Sequence, residues 1–424
     1  MIRICRTGEV PNTELFARRE APAQVAGTVR DIIAEVLRRG DAALYDYTAR
    51  FDGARLSSLE VTEEEFEEAL ASVDPAFLDV LREAAENIRA YHSCQKRESF
   101  LMQGKAGVLL GQKITPIEKV GLYVPNGTAP YPSTVLMDAI PAKIAGCAEL
   151  IMVSPPCADG KLNPGILAAA RVAGVDRVFK VGGAQAVAAL AFGTESIPAV
   201  YKIVGPGNAY VAEAKRQVFG RVAIDVVAGP SEILVVADAN SDPRVVAADM
   251  LAQAEHDVLA TAVLVTDSMD LAQLVQAEIE AQLQTLPRRE IARASIENNG
   301  RIIVAEDLNA AVDIANEIAP EHLELCVDEP FSWLDRVKNA GSIFLGRYAP
   351  EALGDYMAGP NHTLPTGGIA KFASPLSVDD FVKKSQFTYY TKDALEAISG
   401  KIALFAREEE LEGHARSALV RFEA

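Results

Sequence analysis

A chain of 424 residues exceeds one typical domain, and 49% hydrophobic with 24% charged residues is the composition of a globular protein with a sizeable core. Its 59 acidic against 41 basic side chains give a net charge of −18, which excludes the basic stripe a polyanion partner would need. No apolar run is long enough to span a bilayer, the first residues lack a signal-peptide core, and five scattered cysteines without a C-x-x-C pair exclude a disulfide framework, so the chain reads as cytoplasmic.

The first hundred residues carry helical patterns. Over "TVRDIIAEVLRRGDAALYDYTARF", Ile32, Ile33, Val36, Leu37 and Leu44 form one apolar stripe. Thr62 with Glu65 makes a T-x-x-E capping box, and Asp74 before Pro75 places a cap ahead of a proline at the first helical position. The helix from Pro75 runs through "FLDVLREAAENIRAYHSCQ", with His92 expected on its solvated face or as a cap.

From about residue 107 short apolar runs bounded by Gly or Pro alternate with Ala-rich stretches. "VGLYVP", "ELIMVSPP", "RVFKVGG", "AVYKIVG" and "EILVVAD" read as strands, and "STVLMDAIPAKIAG", "NPGILAAARVAG" and "AQAVAALAFG" as helices. Continuous apolar strands separated by helices indicate a parallel sheet covered on both faces. The rhythm restarts with a helix holding Gln253 and His256, then "TAVLVTDS", "GRIIVAED", the helix "LNAAVDIANEIAP", "LELCV" and "GSIFLG". The expected fold is therefore α/β, with two doubly wound parallel-sheet units joined near residues 228–240. The last fifty residues return to helix, ending in "REEELEGHARSALVRF".

Only five histidines are present, His92, His256, His322, His362 and His414. Gln253 and His256 are three apart and share a helix face, which suits half of a binding site or an ordinary solvated surface. His322 directly follows Glu321 in "IAPEHLEL", an adjacency suited to acid–base work, although a turn histidine that caps a helix would look the same. His362 stands in "GDYMAGPNHTLPTGG", too rich in Gly and Pro for regular structure, and His414 in "LEGHARS". Loops of this kind are expected at the carboxyl ends of parallel strands. Taken together, Gln253, His256, Asp355 and His414 offer two imidazoles and two oxygens, compatible with Zn²⁺, Mn²⁺ or Co²⁺ acting as a Lewis acid. These residues lie up to 161 positions apart (414 − 253), so spacing alone does not assemble them. There is no G-x-G-x-x-G and no Walker A motif. "VGPGNAYV" and "VGGAQAV" are Gly-rich turns that suit either a pyrophosphate or a plain strand-to-helix connection. Cys147 in "AGCAEL" has no basic neighbour in sequence and reads as a small buried hydrophobe.

Read together, "VGLYVPNGTAPYPSTVLMDAIPAKIAG", "VGGAQAVAALAFGT", "IVGPGNAYVAEAKRQVFGRVAIDVVAGPSEILVVAD", "MLAQAEHD", "EIAPEHLEL" and "GDYMAGPNHTLPTGG" resemble the L-histidinol dehydrogenase family, from about residue 20 to the end. The resemblance implies a Rossmann-like fold without the dinucleotide fingerprint. Residues 1–106 would be a helical segment packing on the second α/β domain, 107–230 the first domain on the NAD side, 231–375 the second, and 376–424 a helical arm reaching a partner subunit. It implies one Zn²⁺ per subunit on Gln253, His256, Asp355 and His414, the last donated across a homodimer. The catalytic pair would be Glu321 and His322. Substrate contacts would fall on Ser231, His362 and Glu409 as well as on His322 and the four metal ligands, and NAD⁺ contacts on Tyr123, Gln185 and Asn208. The implied reaction is the four-electron oxidation of L-histidinol through L-histidinaldehyde to L-histidine.

Two departures stand out: Asn126 in "VPNGTA" and Glu410 in "REEELEGH" occupy positions where the family has Gly. A related dehydrogenase of another polar alcohol, such as a sulfonated diol, is the nearest rival. Glu409 and His362 suit a cationic amine and an imidazole and favour histidinol. A non-catalytic metal-binding scaffold would need no Glu-His pair.

Overall fold

The computed structural model describes residues 1–9, 25–126, 129–227 and 229–423; the part of the helical reading over 10–24 lies outside them. Fourteen strands are found among the described residues: β1 Arg3–Arg6, β2 Phe100–Gln103, β3 Val108–Pro116, β4 Lys119–Tyr123, β5 Glu149–Ser154, β6 Arg177–Lys180, β7 Lys202–Val204, β8 Ala223–Ile224, β9 Glu232–Ala237, β10 Thr261–Thr266, β11 Arg301–Val304, β12 His322–Cys326, β13 Ser342–Leu345 and β14 Val382–Tyr390. Two all-parallel sheets carry the fold, in the orders β6-β5-β4-β7-β8 and β1-β11-β10-β9-β12-β13. Each starts at a central strand, winds outward, then crosses to the other side. The order therefore reverses between β4 and β7 and again between β9 and β12.

The apolar runs make these strands because both faces are covered. Val120, Leu122, Leu150 and Met152 point to the Pro132–Ala145 and Pro164–Ala173 helices, while Tyr123, Ile151 and Val153 point to Gly183–Phe192 on the other face. The second sheet divides likewise, with Ile233 and Val235 in one core and Leu234 and Val236 in the other. The expected junction is shifted slightly, since β9 already occupies 232–237. The capping box at Thr62 and the Asp74–Pro75 start both form. Among the described residues no helix is long and apolar enough to cross a membrane.

Five expectations need correction. The helices between residues 25 and 93 pack on the first parallel unit, not the second: Ile32, Ile33, Val36 and Leu44 join the core of the Gly183–Phe192 helix, and Leu81, Ala84 and Ile88 join that of Pro132–Ala145. Among the described residues of that segment, only β1 reaches the second sheet, covering the open edge of β11. The stripe also stops short of Leu37, which is exposed. His92 is fully buried rather than solvated, its Nδ1 2.7 Å from Gln95 Oε1. The last fifty residues are not all helix, because β14 pairs antiparallel with β3 along nine residues, and β2 completes that sheet. Its "VKKSQFTYY" is almost wholly exposed, so no buried face printed an alternation on the sequence. Between β10 and β11 two helices stand, Met269–Leu283 and Arg289–Asn298, where none was foreseen.

Candidate active site

The carboxyl end of the first sheet faces the amino end of the second, and a loop after the second sheet stitches them together. His362 Nε2 lies 3.2 Å from Thr134 Oγ1, Asn361 Nδ2 donates to Met137 O at 2.6 Å, and Thr363 Oγ1 donates to Asp138 Oδ1 at 2.9 Å. Thr134, Met137 and Asp138 belong to the helix that follows β4. Beside them Tyr131 stacks on His256 of the second unit, ring centroids 6.5 Å apart.

Glu321 and His322 sit at the amino end of β12, not at a carboxyl end as expected. The Leu308–Ile318 helix stops at Ala319, a buried non-glycine residue with φ 52°, and Pro320 leads the chain straight into the strand. A Cβ on Gly341 would stand 2.5 Å from Glu321 O, so only glycine lets the neighbouring segment approach this closely.

The pair hangs from one backbone unit. The Glu232 N–H donates to Glu321 Oε2 at 2.8 Å, and His322 Nδ1 lies 3.0 Å from Glu232 O. A carbonyl only accepts, so Nδ1 carries the proton and Nε2 holds the lone pair of the neutral ring. That Nε2 is buried without a hydrogen-bond partner, 3.7 Å from Glu351 Oε1. Burial pushes His322 down to about 4, so it is neutral at pH 7. Burial pushes the Glu321 carboxyl the other way, well above the usual carboxylate range, with the nearby acids Glu232, Asp355 and Glu351 adding to the rise. Ser231, whose carbonyl accepts from Thr261 N–H at 3.0 Å, stands one residue before β9 on the same edge.

The proposed metal residues converge in part. Gln253 is the penultimate residue of the Pro243–Ala254 helix, and its buried Oε1 has no hydrogen-bond partner. His256 does not share that helix; it follows the cap Glu255, in a turn where its N–H bonds Gln253 O at 3.2 Å. Burial lowers its pKa, although the Asp355 charge pulls back upward, so the ring is neutral. Asp355 is not in a loop but in the short Glu351–Tyr356 helix. Burial works to raise Asp355, but the His362 hydrogen bond and charge bring it to about 2. One His322 nitrogen and one oxygen each of Glu351 and Asp355 lie within 4.8 Å of one another. An orphaned amide oxygen, a neutral imidazole and an ionised carboxylate form a donor set that fits zinc. Both nitrogens of His362 are engaged, Nδ1 toward Asp355 at 3.4 Å and Nε2 toward Thr134. It therefore orients the Asp355 carboxylate.

Tyr123, Gln185 and Asn208 gather at the carboxyl end of the first sheet. Tyr123 ends β4 and its hydroxyl accepts the Gly183 N–H at 2.9 Å; Gln185 is buried two residues further on; Asn208 caps the Ala209–Val218 helix. Gly205, φ 114°, lets its turn close on β4, where a Cβ would meet Tyr123 O at 2.2 Å. Its N–H donates to Asp225 at 2.8 Å and its carbonyl accepts from buried Lys215 at 2.9 Å. The Gly-rich turn is thus clamped from both sides, with Lys215 also ion-paired to Asp225.

A family model described as histidinol dehydrogenase matches residues 16–422. The histidinol dehydrogenase of Geobacillus kaustophilus is 58% identical over 395 residues, 93% of each chain. That of Clostridium acetobutylicum is 50% identical over 427 residues, 100% of this chain and 99% of its own. A solved histidinol dehydrogenase from Elizabethkingia anophelis matches with a TM-score of 0.95 and 38% identity, covering 99% of this chain and 98% of that one. The chain belongs to the histidinol dehydrogenase family. It is therefore an oxidoreductase of histidine biosynthesis.

Within this histidinol dehydrogenase fold, Glu409 and His414 stand apart from the other candidate residues. Both are exposed on the arm formed by the Lys392–Glu408 and Glu412–Leu419 helices, which close on a small core of their own, Ala403, Ala406 and Ala415. Glu410 takes φ 59°, the left-handed conformation that glycine adopts freely, where the family pattern has glycine. Asn126 is not among the described non-glycine residues of positive φ, and its Nδ2 donates to Pro155 O at 2.9 Å. Glu351 escaped the sequence reading. Burial and the Asp355 carboxylate push it up to about 9, so it stays protonated at pH 7, with its Oε1 3.7 Å from His322 Nε2. The only signal for it was its position four residues before Asp355, one helical turn away.

Proposed function

We propose that this chain oxidises L-histidinol through L-histidinaldehyde to L-histidine, with two NAD⁺ reduced per turnover, as a cytoplasmic homodimer. The observation that carries the reading is the buried Glu321–His322 pair, held by the backbone of one residue, Glu232, in opposite states of proton affinity. His322 Nε2 takes the hydroxyl proton while hydride leaves the carbinol carbon. Glu321, with its raised proton affinity, takes a proton from the water that adds to the aldehyde carbon. The resulting diol monoanion loses a second hydride from carbon and a proton from its remaining hydroxyl, leaving the carboxylate. NAD⁺ held by Tyr123, Gln185 and Asn208 would supply the acceptor for both hydrides. Zinc held by Gln253, His256, Asp355 and His414 of the partner subunit would supply a Lewis-acidic charge for the substrate's polar groups. His362 keeps Asp355 aimed, and Ser231 with Glu409 of the partner subunit completes the contacts to the substrate. The exposed placement of the arm supports that exchange.

NADH formation with L-histidinol, followed with and without a chelator, tests this reading. Two NADH per histidinol are expected, with activity lost on chelation and restored by zinc. Turnover untouched by metal removal would overturn the metal's part, and faster turnover of a sulfonated diol would overturn the substrate.

A further inference from the structure

Behind the Glu351–Tyr356 helix lies a second buried acidic group that the oxidation does not use. Asp249, Glu324 and Cys326 bring two carboxylate oxygens and a thiol within 4.8 Å of one another. Glu324 is 1% exposed. Two carboxylates cannot both stay ionised there, and burial raises both, Asp249 to about 6 and Glu324 well above its usual range. The two carboxyls hydrogen-bond each other through a shared proton. Burial also keeps the Cys326 thiol protonated, which argues against a metal at this group.

The second Glu324 oxygen, Oε1, accepts the Glu351 N–H at 2.7 Å, at the first residue of the short helix. Asp249 lies one helical turn before Gln253, and Glu324 lies two residues after His322 on the same face of β12. A single hydrogen-bonded chain thus ties three separate elements at the point where each delivers a polar group to the cleft.

We propose that the Asp249–Glu324 carboxyl pair is the positioning element of the candidate metal centre, fixing the helix of Gln253, the strand of His322 and the helix of Glu351 and Asp355 relative to one another. The proposal rests on the zinc reading above. Its residues touch neither substrate nor metal and act through the groups they hold.

Zinc affinity measured by competition with a chromophoric chelator tests it, alongside KM and kcat for L-histidinol and thermal unfolding. Glu324→Leu should weaken zinc binding about 10–100-fold, the usual cost of losing a group that orients a ligand, with unfolding little changed. Glu324→Gln keeps an acceptor for the Glu351 N–H and a donor toward Asp249, and should hold zinc almost as tightly as the unsubstituted protein. Should Glu324→Leu fail to fold, Asp249→Ala, on a partly exposed helix, decides by the same readout. Wild-type zinc affinity in a folded Glu324→Leu or Asp249→Ala protein would overturn the proposal, as would a Glu324→Gln loss equal to that of Leu. Failure of the zinc reading itself looks different, since the unsubstituted protein would then take up no zinc.

Discussion

At the scale of single residues, Glu232 contributes its backbone rather than its side chain. Its N–H donates to the Glu321 carboxyl and its carbonyl fixes the tautomer of His322, so two side chains with different tasks share one anchor. Adjacent residues on a strand normally point to opposite faces; here the first of the two lies just before β12, in the approach from Pro320, and its carboxyl reaches the same residue's backbone. Glu321→Gln preserves the acceptor for that N–H but removes the base. It should slow oxidation of L-histidinaldehyde by about 10²–10⁴-fold, the usual worth of a general base, while the alcohol step falls far less. Separate assays of the two half-reactions check this, and equal losses would refute the division of roles. The Glu-His adjacency was legible in the sequence because it is contiguous. The buried state that separates the two proton affinities was not, since it comes from residues distant in sequence, such as Glu232, 89 positions away.

At the scale of elements, sharp turns do the aiming. Ala319 holds a left-handed conformation at the end of one helix, and Glu410 does so between the two arm helices. Strain of this kind costs a non-glycine residue roughly 1–2 kcal/mol, partly offset because glycine loses more entropy on folding. Glu410→Gly should therefore stabilise the arm by about 0.5–1 kcal/mol, slowing hydrogen exchange of its amides roughly 2–5-fold. Unchanged or faster exchange would show that the turn is not strained. The parallel strands were legible because burial on both faces leaves continuous apolar runs such as "EILVVA", all six residues of which are buried. The β14–β3 ladder was illegible for the opposite reason: its residues are exposed, and pairing 274 positions apart (386 − 112) leaves no local trace. Asp355 looked like loop because its helix is only six residues long and is followed by Gly and Pro.

At the scale of the whole molecule, the cleft exists because two units of the same winding meet end to end, one by its strand carboxyl ends and the other by its amino ends. Tyr123, Gln185 and Asn208 lie at the carboxyl end of the first sheet, where the general expectation places ligands. The second sheet brings Ser231, Glu321 and His322 to the facing edge, so a hydride donor carbon held there would lie toward an acceptor on the first. Glu409 and His414 are not among the residues gathered there; the chain displays them, exposed, on its arm. If each arm serves the other subunit, a His256→Ala chain and a His414→Ala chain carry defects that fall on the same site of a mixed dimer. Each variant alone should be inactive. Unfolding and refolding an equimolar mixture makes half of the dimers hybrid, and in each hybrid one site collects both defects while the other is intact. Recovered activity should then approach about a quarter of that of the unsubstituted protein, given two equivalent sites per symmetric dimer. Were His414 to act within its own subunit, every site in the mixture would retain one defect and no activity would return.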